Sequence, residues 1–289
     1  MQLDGIFNLI KPPGMSSSDA VVDIRRLSQI KRVGHLGTLD PGAAGVLPVC
    51  AGRAARLFDY LVDKEKEYLT EICFGIATDT QDAFGKAIAV ADCDVSAEQL
   101  SSVLPQFRGH IAQTAPMYSA LKHNGKKLYD LALAGAPVVE KVRAIDLHEL
   151  ELVEQTGVNR FLLRVVCSRG TYVRTICHDI GLALGLPAHM SFLLRTRSGM
   201  FNLDNAYSMS ELEELEREGR LATALIDCEE ALNFLPKVQL SADRDTPTRN
   251  GLDTYVTDAP EGTVLVYVKS FLGVGEVKGK KLTLRVHLY

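Results

Sequence analysis

One carboxylate, Asp40, lies in a segment rich in glycine, proline and basic residues that runs from Lys31 to Arg56. The glycines and prolines make a regular helix or a central strand improbable, so this segment is predicted to be a loop. A carboxylate among cations stays ionised, which is the state that a nucleophile or an ion-pair partner requires. Taken alone, Asp40 fits a simple Asp-Pro turn better, and His35 in the same loop fits an ordinary surface histidine.

Cationic side chains are concentrated in two stretches of the chain. Six lysines and arginines accompany one acid between Arg25 and Arg56, and the same ratio recurs between Val158 and Met200. From Phe201 to Glu230 nine acids accompany two arginines, and the whole chain has a net charge of -4. Basic stretches suit a phosphate backbone, because each neutralised phosphate releases counterions. A solvated, salt-bridged surface is the better explanation on charge alone.

The overall composition is that of a soluble globular protein, with 46% hydrophobic and 24% charged residues. The sequence has no run of about 20 apolar residues that would span a bilayer. Its six cysteines form no Cys-x-x-Cys pair, so neither a metal site nor a compact disulfide framework is expected. The amino-terminal residues lack the features of a signal peptide, and a cytoplasmic location is expected.

Several helices and strands must position these residues. Residues 17–30 have apolar side chains at helical spacing, and VRTICHDIGLALG predicts a second helix. KEYLTEICFGIAT and RFLLRVVC predict strands. Capping boxes at Ser96 with Gln99 and at Ser210 with Glu213 predict two further helix starts. This mixed order favours an α+β fold over a doubly wound sheet.

Near Pro236 the acidic helical pattern changes to short strand candidates, TVLVYV and LTLRVHL. The glycine-rich FLGVGEVKGKK separates them. We therefore predict two domains, residues 1–235 and a small β module at residues 236–289. Residues 79–94 are acidic and are predicted to be a loop.

The segment GHLGTLDPGAAGVLPVC resembles the catalytic loop of the TruB family of tRNA pseudouridine synthases. NLIKPPGMSS, KEYLTEICFG, ATDTQDAFG, PMYSALKHNGKKLYDLA, CSRGTYVRT and AHMSFLLRTRSG surround it in the family's order, over roughly residues 6 to 200. FLGVGEV resembles the PUA-type RNA-binding module that ends bacterial members. The resemblance implies a pseudouridine synthase catalytic fold, with a mixed, largely antiparallel sheet flanked by helices, and a small C-terminal β PUA-like domain.

The resemblance also implies an activity, the conversion of uridine 55 in the T-loop of tRNA to pseudouridine. The reaction breaks the bond from N1 to C1′, turns the uracil, and joins C5 to the same C1′. Because no atoms are lost, no cofactor and no metal are expected. The expected partner is the tRNA T-arm, with no membrane, no obligatory protein partner and a monomeric enzyme.

The family's catalytic aspartate falls on Asp40, which would attack the ring or the sugar, or stabilise developing positive charge. Arg174 in RGTYVRT would hold that carboxylate through charge and a hydrogen-bonding fork. Tyr68 would stack on the target uracil and help to move the C5 proton. Without the resemblance, Tyr68 is an ordinary strand tyrosine and Arg174 a surface arginine on a helix.

The resemblance assigns further substrate contacts. Tyr172 matches a second base-contacting tyrosine, with Asp82 as its hydrogen-bond partner. Leu193 matches an apolar wall of the uracil pocket, although the residue type alone indicates core. Lys11 matches a lysine near the catalytic loop, in a structural or a chemical role. His35 matches the histidine that fills the space left by the flipped uridine.

Residues 117–129 mix lysines and histidine with tyrosines, which predicts either an RNA-contacting insertion or a solvated loop. Three residues depart from the family pattern. Leu36 stands where threonine is common, and Phe192 and Leu194 stand where tyrosine and arginine are usual. Arg195 and Arg197 remain for backbone or phosphate contacts.

Three alternatives stay open. An RNA-guided synthase of the archaeal and eukaryotic type would need protein-docking segments, for which the chain leaves little room. An RNA-binding or tRNA-folding protein would not need Asp40, Tyr68 and Arg174. A carboxylate hydrolase would need a second carboxylate near Asp40, and sequence spacing identifies none.

Overall fold

The computed structural model describes residues 4–62, 64–116, 118, 122–123, 125–127 and 141–289. The strands are β1 (Gly5–Lys11), β2 (Val33–His35), β3 (Ala44–Ala51), β4 (Lys66–Phe74), β5 (Ile76–Thr78), β6 (Ala87–Val90), β7 (Gly109–Thr114), β8 (Lys122–His123), β9 (Lys126–Lys127), β10 (Val142–Gly157), β11 (Arg160–Cys167), β12 (Ala188–Ser198), β13 (Phe201–Asn202), β14 (Leu225–Ile226), β15 (Lys237–Gln239), β16 (Thr254–Tyr255), β17 (Gly262–Tyr267), β18 (Phe271–Lys278) and β19 (Lys281–His287). The α-helices are α1 (Ser17–Ser28), α2 (Phe58–Leu61), α3 (Ala97–Val103), α4 (Val173–Ala183), α5 (Met209–Arg217), α6 (Cys228–Ala231) and α7 (Asp245–Arg249). Short 3-10 helices lie at Gly52–Leu57, Leu104–Phe107, Leu203–Asn205, Leu221–Ala224 and Ala242–Arg244.

A large mixed sheet organises most of the described chain, with the strand order β14-β1-β3-β12-β4-β11-β10-β7. Its ladders are antiparallel apart from a short parallel contact between β3 and β12. One buried cluster joins apolar residues of α1, α4 and α5 to this sheet, among them Ile24, Ile176 and Leu212. The α+β prediction, with a largely antiparallel sheet flanked by helices, is confirmed.

Helix α1 shows how closely local sequence determines an element. Ser16 is its N-cap and forms a capping box with Asp19. Ala20 and Ile24 are fully buried against the sheet. The helix ends at Ser28, two residues before the predicted end, because Gln29 adopts a left-handed conformation with φ of 55°.

Of the two predicted capping boxes, one is confirmed and the other is wrong. Ser96 and Gln99 cap α3 as predicted. Helix α5 starts two residues earlier than predicted, because its capping box is formed by Ser208 with Glu211. Two overlapping Ser-x-x-Glu patterns are present, and the earlier one gives the helix in which Leu212 is fully buried.

The prediction of a loop throughout Lys31 to Arg56 is wrong for most of the segment, which contains β2, β3 and the start of a 3-10 helix at Gly52. Strand β3 is almost entirely buried and pairs along its length with β1. Pro48 is tolerated because it lies between two short partners on the other edge, β12 and β2. Its carbonyl accepts a hydrogen bond from the Leu36 N–H at 2.8 Å. Only residues 36–43, which we call the Asp40 loop, connect β2 to β3.

Two further strands lie in stretches for which no strand was predicted, the expected loop at residues 79–94 and the glycine-rich FLGVGEVKGKK. Residues 87–90 form β6, which pairs with β5 in a hairpin. The glycine-rich FLGVGEVK is β18, an inner strand of the second sheet. A Cβ at Gly273 would lie 1.9 Å from the Val286 carbonyl oxygen, so its glycine permits close strand approach.

The second sheet has the order β15-β17-β18-β19-β16 and a core of its own that includes Val264, Leu272 and Leu282. Leu265 and Val274 belong instead to a buried cluster shared with the first sheet. The separate C-terminal β region is confirmed, whereas a boundary at residues 235 and 236 stays a prediction. No described helix is long and apolar enough to cross a membrane.

Candidate active site

The Asp40 loop is held in place by a hydrogen bond within it and by two hydrogen bonds with Ser17. The Ala43 N–H donates to the Asp40 carbonyl at 3.0 Å, so the expected Asp-Pro turn is present. At the start of α1, the Ser17 hydroxyl donates to the Leu39 carbonyl at 2.9 Å and accepts from the Leu39 N–H at 2.8 Å. Ser17 is buried. Its role in positioning the loop depends on tertiary structure and was not predicted.

Lys11 lies beneath this loop and is fully buried. Its ammonium donates to the carbonyls of Pro12 at 2.8 Å, Met15 at 2.7 Å and Pro41 at 3.3 Å. Burial lowers the pKa of Lys11 to about 8, the Asp40 carboxylate acts in the opposite direction, and Arg195 lowers it further. These contacts give Lys11 a structural role in the loop, and contact with a substrate stays a prediction.

Arg195 supports the same loop from strand β12. It is 1% exposed, and its guanidinium donates to the carbonyls of Val46 at 2.7 Å, Gly37 at 3.1 Å and Thr38 at 3.4 Å. A Cβ at Gly45, which has φ of 109°, would lie 2.2 Å from the Arg195 carbonyl oxygen. In the structure, the Arg195 guanidinium thus binds three backbone carbonyls and also forms a hydrogen bond with the side chain of Tyr68.

Asp40 and Arg174 form an ion pair, with 3.4 Å between Oδ2 and Nη2. The side chain of Asp40 is 40% exposed and that of Arg174 is 5% exposed, so a solvent-facing carboxylate rests on a buried cation. Nη1 of the same guanidinium lies 3.7 Å from Oδ2 of Asp82. Nη2 also donates to the Tyr118 carbonyl at 2.5 Å. One arginine thus joins two carboxylates from different parts of the sequence.

Asp82 is fixed by the turn between β5 and β6. Its carboxylate accepts hydrogen bonds from the Thr80 hydroxyl at 2.6 Å and from the Phe84 N–H at 3.0 Å. These bonds aim its second oxygen at Arg174. A hydrogen bond between Asp82 and Tyr172 or a base stays a prediction.

Helix α4 presents Tyr172 and Arg174 at its amino-terminal end. Tyr172 is the residue just before the helix, and the buried Gln113 amide donates to its carbonyl at 3.0 Å and accepts from its N–H at 2.8 Å. The Tyr172 ring centre lies 5.7 Å from the Arg174 guanidinium carbon. Gln113 lies in β7, nearly 60 residues earlier, and no sequence pattern marks it as a partner.

Tyr68 and Leu193 come from the adjacent strands β4 and β12, and both are 7% exposed. Tyr68 lies opposite Arg195 in the ladder. Burial raises the pKa of Tyr68 to about 12, although the charge of Arg195 lowers it. The phenol therefore keeps its proton at neutral pH.

A pocket opens to solvent beside Asp40. Its lining comprises Asp40, Gly42, Ala43, Asp82, Phe84, Met190, Ser191, Phe192 and Leu193. Three predicted site residues thus share one concavity, Asp40, Asp82 and Leu193, while Tyr68 and Tyr172 lie outside this lining.

His35 lies at the end of β2, just before the Asp40 loop. Burial lowers the pKa of His35, and the nearby Arg195 lowers it further. Its Nδ1 is buried without a hydrogen-bond partner among the described residues. The ring is therefore a neutral, flat group at neutral pH.

The three departures from the family pattern occupy distinct environments. Leu36 is 2% exposed and belongs to a buried cluster with Val46 and Leu57. Phe192 is 46% exposed and lines the pocket, and Leu194 is partly buried. Most of the predicted RNA-contacting insertion, residues 117–129, lies outside the described residues. The backbones of β8 and β9 pair within it.

Three of the six arginines in the second basic stretch form salt bridges on the outer face of the sheet. Arg197 pairs with Glu65 at 2.6 Å, and Arg160 pairs with Glu71 at 2.8 Å. Arg164 pairs with three glutamates. For these arginines, the explanation by a salt-bridged surface is confirmed. The described residues contain no group of three or more metal-ligating side chains.

Comparison with known proteins relates most of the chain to RNA-modifying enzymes. Residues 25–173 match the family described as "TruB family pseudouridylate synthase (N terminal domain)", and residues 174–233 match "tRNA pseudouridylate synthase B C-terminal domain". A tRNA pseudouridine synthase B from Pelotomaculum thermopropionicum is 42% identical over 259 residues, which are 88% of this chain and 82% of that protein. Another from Caldanaerobacter subterraneus is 41% identical over 286 residues, 98% of each chain.

Solved structures with the same fold come from RNA-protein assemblies. One, titled "Structure of H/ACA RNP bound to a substrate RNA containing 2'-deoxyuridine", has a TM-score of 0.75 and 25% identity, and covers 99% of this chain and 85% of that chain. Another, titled "Crystal Structure of a Cbf5-Nop10-Gar1 Complex", has a TM-score of 0.75 and 27% identity, with 98% and 84% covered.

Proposed function

Because the chain belongs to the TruB family of pseudouridylate synthases, we propose that it converts uridine 55 in the T-loop of tRNA to pseudouridine. Asp40 is the catalytic carboxylate in this proposal. The observation that carries the assignment is the ion pair between a half-exposed Asp40 and a buried Arg174 at the edge of a pocket.

The target uridine must leave its stack before Asp40 can reach it, which costs a few kcal/mol. The bond from N1 to C1′ then breaks, the uracil turns, and C5 bonds to C1′. C5 loses a proton and N1 gains one, so the atoms balance. The buried guanidinium of Arg174 positions the Asp40 carboxylate through the ion pair, while part of the Asp40 side chain stays open to solvent.

The aromatic residues have roles that fit their environments. Tyr68 keeps its proton, because burial raises its pKa to about 12, and a neutral phenol ring suits stacking on uracil. Leu193 supplies an apolar wall, and Tyr172 a second contact with the base. His35, neutral because burial lowers its pKa, fills the space that the flipped uridine leaves.

Transfer RNA is favoured over a guide-dependent target by the degree of similarity. Relatives named tRNA pseudouridine synthase B share 41–42% identity over most of both chains. The chains from H/ACA assemblies share 25–27%. We infer that the enzyme acts without an obligatory protein partner, as a cytoplasmic monomer. The β module at residues 236–289 contributes RNA binding in this proposal.

A carboxylate hydrolase is the alternative for which the structure adds an observation, because Asp82 lies across Arg174 from Asp40. A hydrolase needs one of its two carboxyls as a proton donor. Asp82 instead faces three donors, namely Thr80, the Phe84 N–H and Arg174. The arrangement therefore fits a role for Asp82 in positioning Arg174 and Asp40 better than a role as the proton donor of a hydrolase.

The test is to incubate wild-type protein and the Asp40→Asn variant with an unmodified tRNA transcript, without added cofactor or metal. Pseudouridine is mapped by carbodiimide treatment and primer extension. We expect modification only at uridine 55, lost in Asp40→Asn and retained in Asp92→Asn, which removes an exposed carboxylate outside the site. RNA affinity is measured for all three proteins.

Each outcome has a distinct meaning. Unmodified RNA with intact binding by the wild-type protein would point to another RNA target or to a folding role. Turnover by Asp40→Asn at the wild-type rate would remove Asp40 from the chemistry. A tRNA-folding activity that survives in Asp40→Asn would show that folding and catalysis coexist.

A further inference from the structure

Phe84 is an exposed aromatic residue at the mouth of the pocket. It is 77% exposed, yet it lines the same concavity as Asp40, Asp82 and Phe192. Single exposed apolar side chains are common on protein surfaces. Phe84 differs from such residues because it lies beside Asp40, the candidate catalytic carboxylate.

The turn that carries Phe84 is closely constrained. The Phe84 N–H donates to Oδ1 of Asp82 at 3.0 Å, so its backbone is tied to the carboxylate that pairs with Arg174. A Cβ at the next residue, Gly85, would lie 2.3 Å from Oγ1 of Thr80, which leaves no room for a side chain. The turn therefore presents the ring in a defined place.

The ring itself rests on the Asp40 loop. A Cβ at Gly42 would lie 2.0 Å from Cε2 of Phe84, so the ring occupies the space that a side chain there would take. Its remaining surface faces solvent at the rim of the pocket that Asp40 and Asp82 also line. A group that contacts this surface lies outside the pocket and next to its occupant.

We propose that Phe84 stacks on a nucleobase of the RNA that stays outside the pocket, next to the flipped uridine. This inference rests on the proposed function, because it takes the pocket to hold that uridine. A flat apolar ring fixed at the rim of the pocket beside Asp40 is suited to stacking, and every base offers a π-face. Phe84 lies within the quoted motif ATDTQDAFG, and this proposal gives it a substrate-binding role that the sequence analysis did not assign.

The hairpin of β5 and β6 offers a matched control. Ile88 is 65% exposed on the same hairpin, and it does not line the pocket. Ile88→Ala thus removes a comparable exposed apolar side chain away from the site. Phe84→Leu retains apolar volume without an aromatic face, and Phe84→Tyr retains the face.

The experiment measures tRNA affinity in the Asp40→Asn background and KM and kcat in the active enzyme. Loss of one stacked base weakens binding about 5- to 150-fold. We expect that loss in Phe84→Ala and Phe84→Leu, with recovery in Phe84→Tyr and no change in Ile88→Ala. A Phe84→Ala affinity within about twofold of its parent would overturn the inference, as would a lower kcat with unchanged affinity, which would assign Phe84 to holding the Asp40 loop.

The absence of tryptophan from the sequence provides a second readout. In Phe84→Trp the indole is the only one in the protein, and stacking on a base quenches its fluorescence when tRNA binds. Ile88→Trp should show no quenching. Unquenched Phe84→Trp bound to tRNA would refute stacking even while the wild-type protein modifies uridine 55. A wild-type protein that neither binds nor modifies tRNA would refute the proposed function, and this inference with it.

Discussion

The two faces of the large mixed sheet have arginines in opposite environments. On the face covered by α4, Arg174 and Arg195 are almost fully buried and hold Asp40 and the carbonyls of its loop. On the other face, Arg160, Arg164 and Arg197 are partly exposed and neutralised by glutamates. All five lie in one basic stretch of sequence. Fold, and not local charge density, determines which cation serves the site.

A bulge in the pairing of β12 with β4 separates two of these arginines. The register shifts between Arg195 and Arg197, so Arg195 lies opposite Tyr68 while Arg197 lies opposite Glu67. Residues two apart on a regular strand would share a face. Other cations on the two faces differ in the same sense. Burial lowers the pKa of Lys11 beneath the loop, whereas hydrogen bonds that Arg164 donates to glutamates on the outer face raise the pKa of Arg164.

The largest effect is expected for Arg174→Lys. An ammonium cannot replace a fork that reaches both Asp40 and Asp82, and a displacement of about 1 Å at a catalytic group costs about 100-fold in rate. We expect kcat on tRNA to fall at least that far, with RNA affinity largely retained. Arg164→Lys on the outer face is the control and should stay within about twofold. Equal rates for the two variants would break the contrast between the faces.

Arg195→Met should have the next largest effect, on stability. It leaves the carbonyls of Val46, Gly37 and Thr38 without this donor, and a buried group without its hydrogen bond costs about 1–3 kcal/mol. We expect the free energy of unfolding in urea to fall by at least about 2 kcal/mol. Arg197→Met should lose no more than about 1 kcal/mol, as exposed ion pairs do. A loss of the same size in both variants would contradict the assignment of Arg195 to loop support.

The burial of Lys11 beneath the Asp40 loop should make the free energy of unfolding depend on pH. Its pKa in the folded protein, about 8, lies below the ordinary value of 10.5, so between these pH values the unfolded chain binds more protons. Linkage then requires that stability rise with pH across this window. We expect the free energy of unfolding, relative to Lys11→Met, to increase from pH 8 to pH 10.5. A difference that is flat or falls over this range would show that the folded protein does not disfavour the charged lysine.

Elements governed by local patterns were predictable from the sequence. Apolar spacing and capping located α1, α3 and α4, and apolar, β-branched runs located β4 and β11. Strands β3 and β18 were not predicted, because their glycines and a proline read as loop signals. Those residues are explained by close strand approach and by edge pairing, which depend on the assembled sheet.

The residues of the candidate site likewise fall into those that the sequence predicted and those that only the fold reveals. The family motifs located Asp40, Arg174 and Asp82, which the structure brings together. Ser17, Gln113 and Arg195, which fix their positions through buried hydrogen bonds, carry no sequence signal for that role. Their partners are distant in the sequence, so only the fold reveals them.

The smallest effect is expected on the salt dependence of tRNA binding, where exposed cations near the site should differ from arginines that are paired with glutamates. Lys31 and Arg32 are exposed just before β2, a few residues from His35. If they contact phosphate, each contributes about 1 to the slope of log affinity against log salt. Lys31→Gln with Arg32→Gln should therefore lower that slope by about 2 and weaken tRNA binding severalfold. Arg160→Gln with Arg197→Gln removes the same charge from the outer face and should leave the slope unchanged. A slope lowered equally by both pairs would mean that the glutamates do not keep the outer arginines from RNA, and that charge density along the sequence alone predicts the binding surface.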